Sequence, residues 1–274
     1  MGNKILSGLF FLLFFSQCTN QADENSSQER DGLIFTHGMC LPDVADKYVY
    51  PIIPGTEEWK KLGSEEEAIK AYQLPDNELK NISTLGLIRS FLDIPMLSSS
   101  YHLFSDASSI GRMNKIYPYY NSAQEIINRE DAGEALLLYY DAICFDCLTP
   151  KKVMHQMDFD EQVRVAGLQM KFDVLLTAVE VFFSQQQILD RLNDKDKQNI
   201  VATLLDKTLQ IQEVNSYIDG YLRSAYTAVE VMANVMYFSN YQPIVEYFGS
   251  GKEYIASWAA DVDDIILFAN QFIR

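Results

Sequence analysis

From Ser64 onward the apolar positions of this chain recur at three- and four-residue intervals, the period of a helix that buries one face. Ser64-Glu65-Glu66-Glu67 is a capping box, and Ala68, Ile69 and Tyr72 form the apolar stripe behind it. Leu74-Pro75-Asp76 ends that helix, a further turn opens at Asp76 or Asn77, and Ser83 caps a helix carrying Leu87, Ile88, Phe91 and Leu92. Residues 98 to 121 have weaker periodicity, with one helix expected around 105 to 116. Ser122-Ala123-Gln124-Glu125 reads as a second capping box, and a helix burying Ala135, Leu136, Tyr139, Ala142 and Ile143 runs to about Phe145.

The C-terminal half is more regular. Asp158 caps a long helix whose segment from Phe172 to Phe183 is almost wholly apolar, so it must be covered on nearly every side. Asn193-Asp194-Lys195-Asp196 turns the chain into a helix with Ile200, Leu204, Leu205 and Leu209. Another carries Ile218, Leu222, Ala225, Tyr226, Val229, Ala233 and Met236. Ser250-Gly251-Lys252-Glu253 caps a last one with Trp258, Val262, Ile265, Ile266 and Phe272. The expected fold is all-α: a multi-helical domain of antiparallel helix pairs, solenoid-like in its C-terminal half if Thr-Ala-Val-Glu-Val at 177 and again at 227 marks a true repeat. An extended lead-in with Val49, Ile52 and Ile53 among Pro51 and Pro54 precedes it.

The N-terminus follows another logic. Lys4, the apolar block Leu9 to Phe15 and then Ser16-Gln17-Cys18 have the layout of an export signal. Seven apolar residues are far short of the ~20 that span a bilayer. The stretch resembles the leader of bacterial lipoproteins, in which the cysteine becomes the acylated N-terminus. That resemblance implies a signal at residues 1–17, lipid on Cys18 and a lipid-anchored protein at the outer membrane or cell surface. Residues 19 to 32 are polar and acidic, and the expected layout is an unfolded tether over 18–47 followed by a helical domain over 48–274, with any sub-boundary near 150.

A second resemblance rests on Tyr48-Val49-Tyr50-Pro51, Pro54-Gly55-Thr56-Glu57-Glu58-Trp59, Gln73-Leu74-Pro75, Asn81-Ile82-Ser83-Thr84 with Gly86-Leu87, and Asn128-Arg129-Glu130-Asp131-Ala132-Gly133. These residues resemble a group of secreted proteins of gut Bacteroidota with no assigned activity. It implies an all-helical exported domain and carries no catalytic residues.

Charge narrows the function further. The formal charge of −16 becomes −17 once the leader with Lys4 is removed. Such a surface repels phosphate backbones and anionic lipid, so nucleic acid is not a partner, and attachment to a membrane must come from acyl chains.

Candidate chemistry is sparse. There is no GxSxG, no HExxH and no glycine-rich phosphate loop among these residues, and no cofactor is called for. Glu180 and Glu230, one in each pentapeptide, would serve as an acid pair if both were buried; otherwise each reaches the solvated edge of its helix or a neighbouring base. A di-iron site would also need Glu-x-x-His, which does not occur. His37, Cys40, Cys144 and Cys147 have the residue types of a Cys3His zinc site, but a disulfide within the CxxC pair or from Cys40 to one of them is the simpler use of these thiols. The acidic clusters at 158–161 and 261–264 lack the spacing of a calcium loop and read as solvated helix faces. Tyr117, Tyr119 and Tyr120 beside Pro118, and Tyr237, Tyr241 and Tyr247 around Pro243, are the aromatic groups best placed to contact a protein, peptide or glycan partner.

Overall fold

Several of the serines and threonines that precede an apolar stripe are put to use as helix caps. In the computed structural model, which describes residues 27–36, 40–103, 108–145, 157–217, 224–249 and 258–274, the Thr56 hydroxyl accepts from the Trp59 amide to open α1 (Glu57–Lys60). Ser64 accepts from Glu67 to open α2 (Glu65–Ala71), and Ser83 from Gly86 to open α4 (Thr84–Leu92). Between them α3 (Asp76–Asn81) follows Pro75. The fold class is all-α.

The first half continues through α5 (Leu97–Leu103), α6 (Ser109–Ile116), a 3-10 turn at Tyr117–Tyr119, α7 (Asn121–Asn128) and α8 (Ala132–Asp141). Two of these depart from the sequence pattern. Ser122 does not cap α7, which begins two residues before the capping box implies, at Asn121, whose side chain bridges both backbone groups of Leu74 at 2.9 and 2.7 Å. The α8 helix stops at Asp141 rather than Phe145, and the buried Lys207 ammonium takes the carbonyls of Asp141 and Ile143, at 2.7 and 2.8 Å, that the lost turn leaves open.

The second half holds α9 (Phe159–Phe182), a short α10 (Gln186–Leu189), α11 (Asp194–Tyr217), α12 (Ser224–Phe238), α13 (Gln242–Gly249) and α14 (Trp258–Phe272). Asp158 caps α9 through the Glu161 amide, as its position implied. The α12 helix packs against α6, α9, α11, α13 and α14. The α12 helix is thus the hub of the C-terminal half.

The expected unfolded tether to residue 47 is also corrected. Ser27–Arg30 pairs with Leu33–Thr36 as an antiparallel hairpin, β1 and β2, joined by Asp31 and Gly32 at φ of 54° and 77°. Positive φ at both central residues is the backbone of a type I′ turn, for which Asp-Gly is a preferred pair. Leu33, Leu41 and Val44 are buried, and the isolated bridge of Ile34 to Asp43 carries the chain onto the helices.

The lead-in is then clamped. Arg89 of α4, almost wholly buried, ion-pairs with Asp93 at 2.8 Å and Asp43 at 3.5 Å, and the Tyr139 hydroxyl donates to the Pro42 carbonyl at 2.9 Å. Ser83 donates to Asp46 through its amide and hydroxyl, and the Tyr48 amide donates to Ser90.

Candidate functional site

Glu180 lies on the part of α9 that the apolar pattern marked as covered on all sides, and there it has no exposed surface. Glu230 of α12 is 4% exposed. Neither reaches a solvated helix edge, which corrects the simpler of the two sequence readings. The pentapeptides face each other: the hydroxyls of Thr177 and Thr227 approach to 3.5 Å, and Glu230 lies close enough to raise the proton affinity of Glu180.

The Glu180 environment is built by two further groups. Tyr140 of α8 donates its hydroxyl to Oε1 at 2.7 Å. Oε2 has no hydrogen-bond partner among the described residues. Tyr117, whose hydroxyl donates to the Ala178 carbonyl at 2.7 Å and whose ring stacks on Phe182 at 4.3 Å, fills the space beside it. Burial pushes the Glu180 carboxyl well above the ordinary carboxylate range, the Tyr140 bond opposes this, and the charges of Asp173 and Glu230 add to it. Burial, followed by the charge of Glu180, likewise drives the Tyr140 and Tyr117 phenols up. These causes favour the protonated form of Glu180. With no exposed surface, Glu180 cannot touch a substrate in this arrangement.

The four candidate zinc residues divide. Cys40 and Cys144 are both disulfide-bonded, and the Cys144 amide donates to the Cys40 carbonyl at 3.0 Å. A sulfur in a disulfide has no thiolate to give a metal. His37 and Cys147 lie outside the described residues, as does Cys18. Among the described residues no group of three acids, histidines or cysteines is placed to hold a metal ion, and no helix is long and apolar enough to cross a membrane.

The two aromatic groups have opposite fates. Tyr117 and Tyr120 are core residues packed on Phe91, and only Tyr119 stands out, 46% exposed. Around Pro243, Tyr237 is exposed, and Tyr241 and Tyr247 are half-buried. Sequence reasoning missed Phe238, Phe248 and Phe268, which join this second group through ring contacts. It also missed Tyr140 and Lys207. For Tyr140 a signal existed, because it and Tyr139 occupy adjacent positions in a helix whose other face is charged.

Several distinctive residues of the lead-in and first helices have structural work. Trp59 stacks on Tyr72, which meets Tyr50 edge to face. Gln73 donates to the Tyr119 carbonyl and accepts from the Asn121 amide. The Arg129 guanidinium takes the carbonyls of Ile82 and Leu79 at 2.9 and 2.7 Å, and Thr84 donates to Asp131 at 2.7 Å. Comparison of the chain with protein families, with curated proteins and with solved structures finds no match.

Proposed function

We propose that the chain is exported, held at the outer membrane or cell surface by lipid on Cys18, and that its helical domain acts by binding a partner. The observation that carries this reading is the apolar block Leu9 to Phe15 set directly before Ser16-Gln17-Cys18. The oxidised state of Cys40 and Cys144 supports it independently, since structural disulfides belong to oxidising compartments.

Lipidation has a further consequence for the bridges. With Cys18 acylated, three thiols remain, and they allow only one internal bridge. Both Cys40 and Cys144 are in disulfides, so that bridge joins Cys40 to Cys144 and ties the lead-in to the end of α8.

Labelled palmitate tests the anchor. Wild-type chain is expected to take up label and Cys18→Ala to take up none; label persisting in the variant would place the lipid elsewhere. The competing reading, a secreted enzyme using Glu180 and Glu230, is disfavoured by the burial of both carboxylates. Its distinguishing result would be turnover of a substrate that is lost in Glu180→Gln while the fold is kept.

A further inference from the structure

Five rings from three helices join in one run at the C-terminal side of the bundle. Phe238 meets Tyr237 with centroids 5.9 Å apart, and Tyr237 meets Phe248 at the same distance. Phe248 meets Tyr247 at 5.7 Å, and Tyr247 meets Phe268 of α14 at 5.7 Å. Aromatic runs inside a core are ordinary, but this one opens outward: Tyr237 and Phe238 keep 44% and 41% of their surface, and Leu267 beside Phe268 keeps 53%. Their neighbours Val235 and Met236 are fully buried, so the exposed rings sit at the end of a helix otherwise committed to the core.

Exposed acids flank these rings on the same helices. Glu246, next to Tyr247 on α13, and Asp263, one turn before Leu267 on α14, are both exposed.

We infer that this face docks a cationic peptide segment in which arginine or lysine alternates with apolar residues. Ring quadrupoles attract guanidinium and ammonium groups, and aromatic side chains with only two rotatable bonds supply contact area at little entropic cost. The exposed carboxylates complement the same cations and repel anionic partners. A neutral sugar would gain nothing from the acidic frame. This deepens the binding reading and rests on it, but it is independent of the lipid: failure of palmitate labelling would leave it standing, and failure of the peptide to bind would leave the anchor standing.

The test is calorimetric titration of the full chain with a six-residue peptide of alternating arginine and leucine, at low and at physiological ionic strength. Wild type is expected to bind. Tyr237→Ala and Phe238→Ala, each at unchanged net charge, are expected to weaken binding at least about fivefold, the loss of a hot-spot ring. Tyr237→Leu and Phe238→Leu remove the rings while keeping apolar bulk, and they decide the matter if either alanine variant melts early. Glu246→Gln combined with Asp263→Asn is expected to weaken binding mainly at low salt. The inference is overturned if the peptide does not bind, if ring variants bind as tightly as wild type, which would reduce the attraction to diffuse charge, or if neutral maltohexaose competes for the same face.

Discussion

Burial raises the proton affinity of Glu180 in the folded core above that in the unfolded chain, so unfolding near neutral pH is expected to release a proton at this residue. Its folded proton affinity is raised by burial first and by Asp173 and Glu230 after it, against the hydrogen bond from Tyr140. The sign follows by linkage. Below the ordinary carboxyl range both states are protonated and the contribution is complete; as pH rises above that range the unfolded state ionises and stability drains away until the folded carboxyl also titrates. One proton of difference makes the slope about 1.4 kcal/mol per pH unit in that window. Urea denaturation of wild type and Glu180→Gln from pH 5 to 8 isolates it, because the amide keeps an oxygen for the Tyr140 hydroxyl and cannot ionise. The general repulsion of a chain at −16 is common to both proteins. Asp43 does not interfere: despite its burial, the bonds from Lys47 and the Val44 amide lower its pKa, so its contribution is present above the ordinary range and is lost only in stronger acid. The difference in unfolding free energy should therefore move in favour of the glutamine as pH rises. Two curves that stay parallel from pH 5 to 8 would mean that Glu180 is not protonated in the fold, and the account of a buried acid would be wrong.

Two further substitutions probe the packing that positions these groups. A Cβ on Gly133 of α8 would stand 2.6 Å from Leu192 Cδ2, so Gly133→Ala is expected to cost about 1–3 kcal/mol in urea unfolding, and a neutral result would show that Leu192 can withdraw. Arg89→Met removes one of the two cations between Asp43 and Asp93 and leaves Lys47, 2.7 and 3.2 Å from them, so a loss of about 1–3 kcal/mol is expected at neutral pH, read as a lower melting temperature with faster proteolysis of residues 40 to 50.

The helices of this chain could be read from sequence where local chemistry sets them. Ser64, Ser83 and Asp158 cap helices because a hydroxyl or carboxylate three residues before a free amide has one obvious use. The same logic failed at Ser122, which lies buried inside the first turn of α7 because the helix starts ahead of it. The hairpin at 27–36 was legible in Asp31-Gly32 and was hidden by attention to composition alone. The α13 helix begins beside Pro243 and spans only eight residues, too short for a periodic signal. In the core, sequence identified Glu180 and Glu230 as a pair through their shared pentapeptide. It could not show that both would be buried, because an isolated glutamate among apolar residues snorkels or pairs according to what the other helices present.

The division of labour between the two halves bears on where function lies. In the first half the residues that stand out in sequence are spent on architecture: Thr56 and Ser83 on caps, Gln73 and Arg129 on open carbonyls, Gly86 on the approach of Asp46, whose Oδ1 a Cβ would meet at 2.5 Å. Substituting them would cost stability and tell nothing of activity. The C-terminal side is different, because Tyr237, Phe238 and Leu267 remain exposed where burial would have stabilised them by roughly 1.5–3 kcal/mol for each large apolar side chain. Exposed rings beside exposed acids are better explained by contact with something outside the chain than by folding. Alanine at Tyr237 or Phe238 should thus leave the melting temperature close to wild type while it weakens peptide binding, the reverse of what Gly133→Ala or Arg89→Met should do. A ring variant that unfolds as readily as Arg89→Met would return these side chains to the core and leave the face without a role.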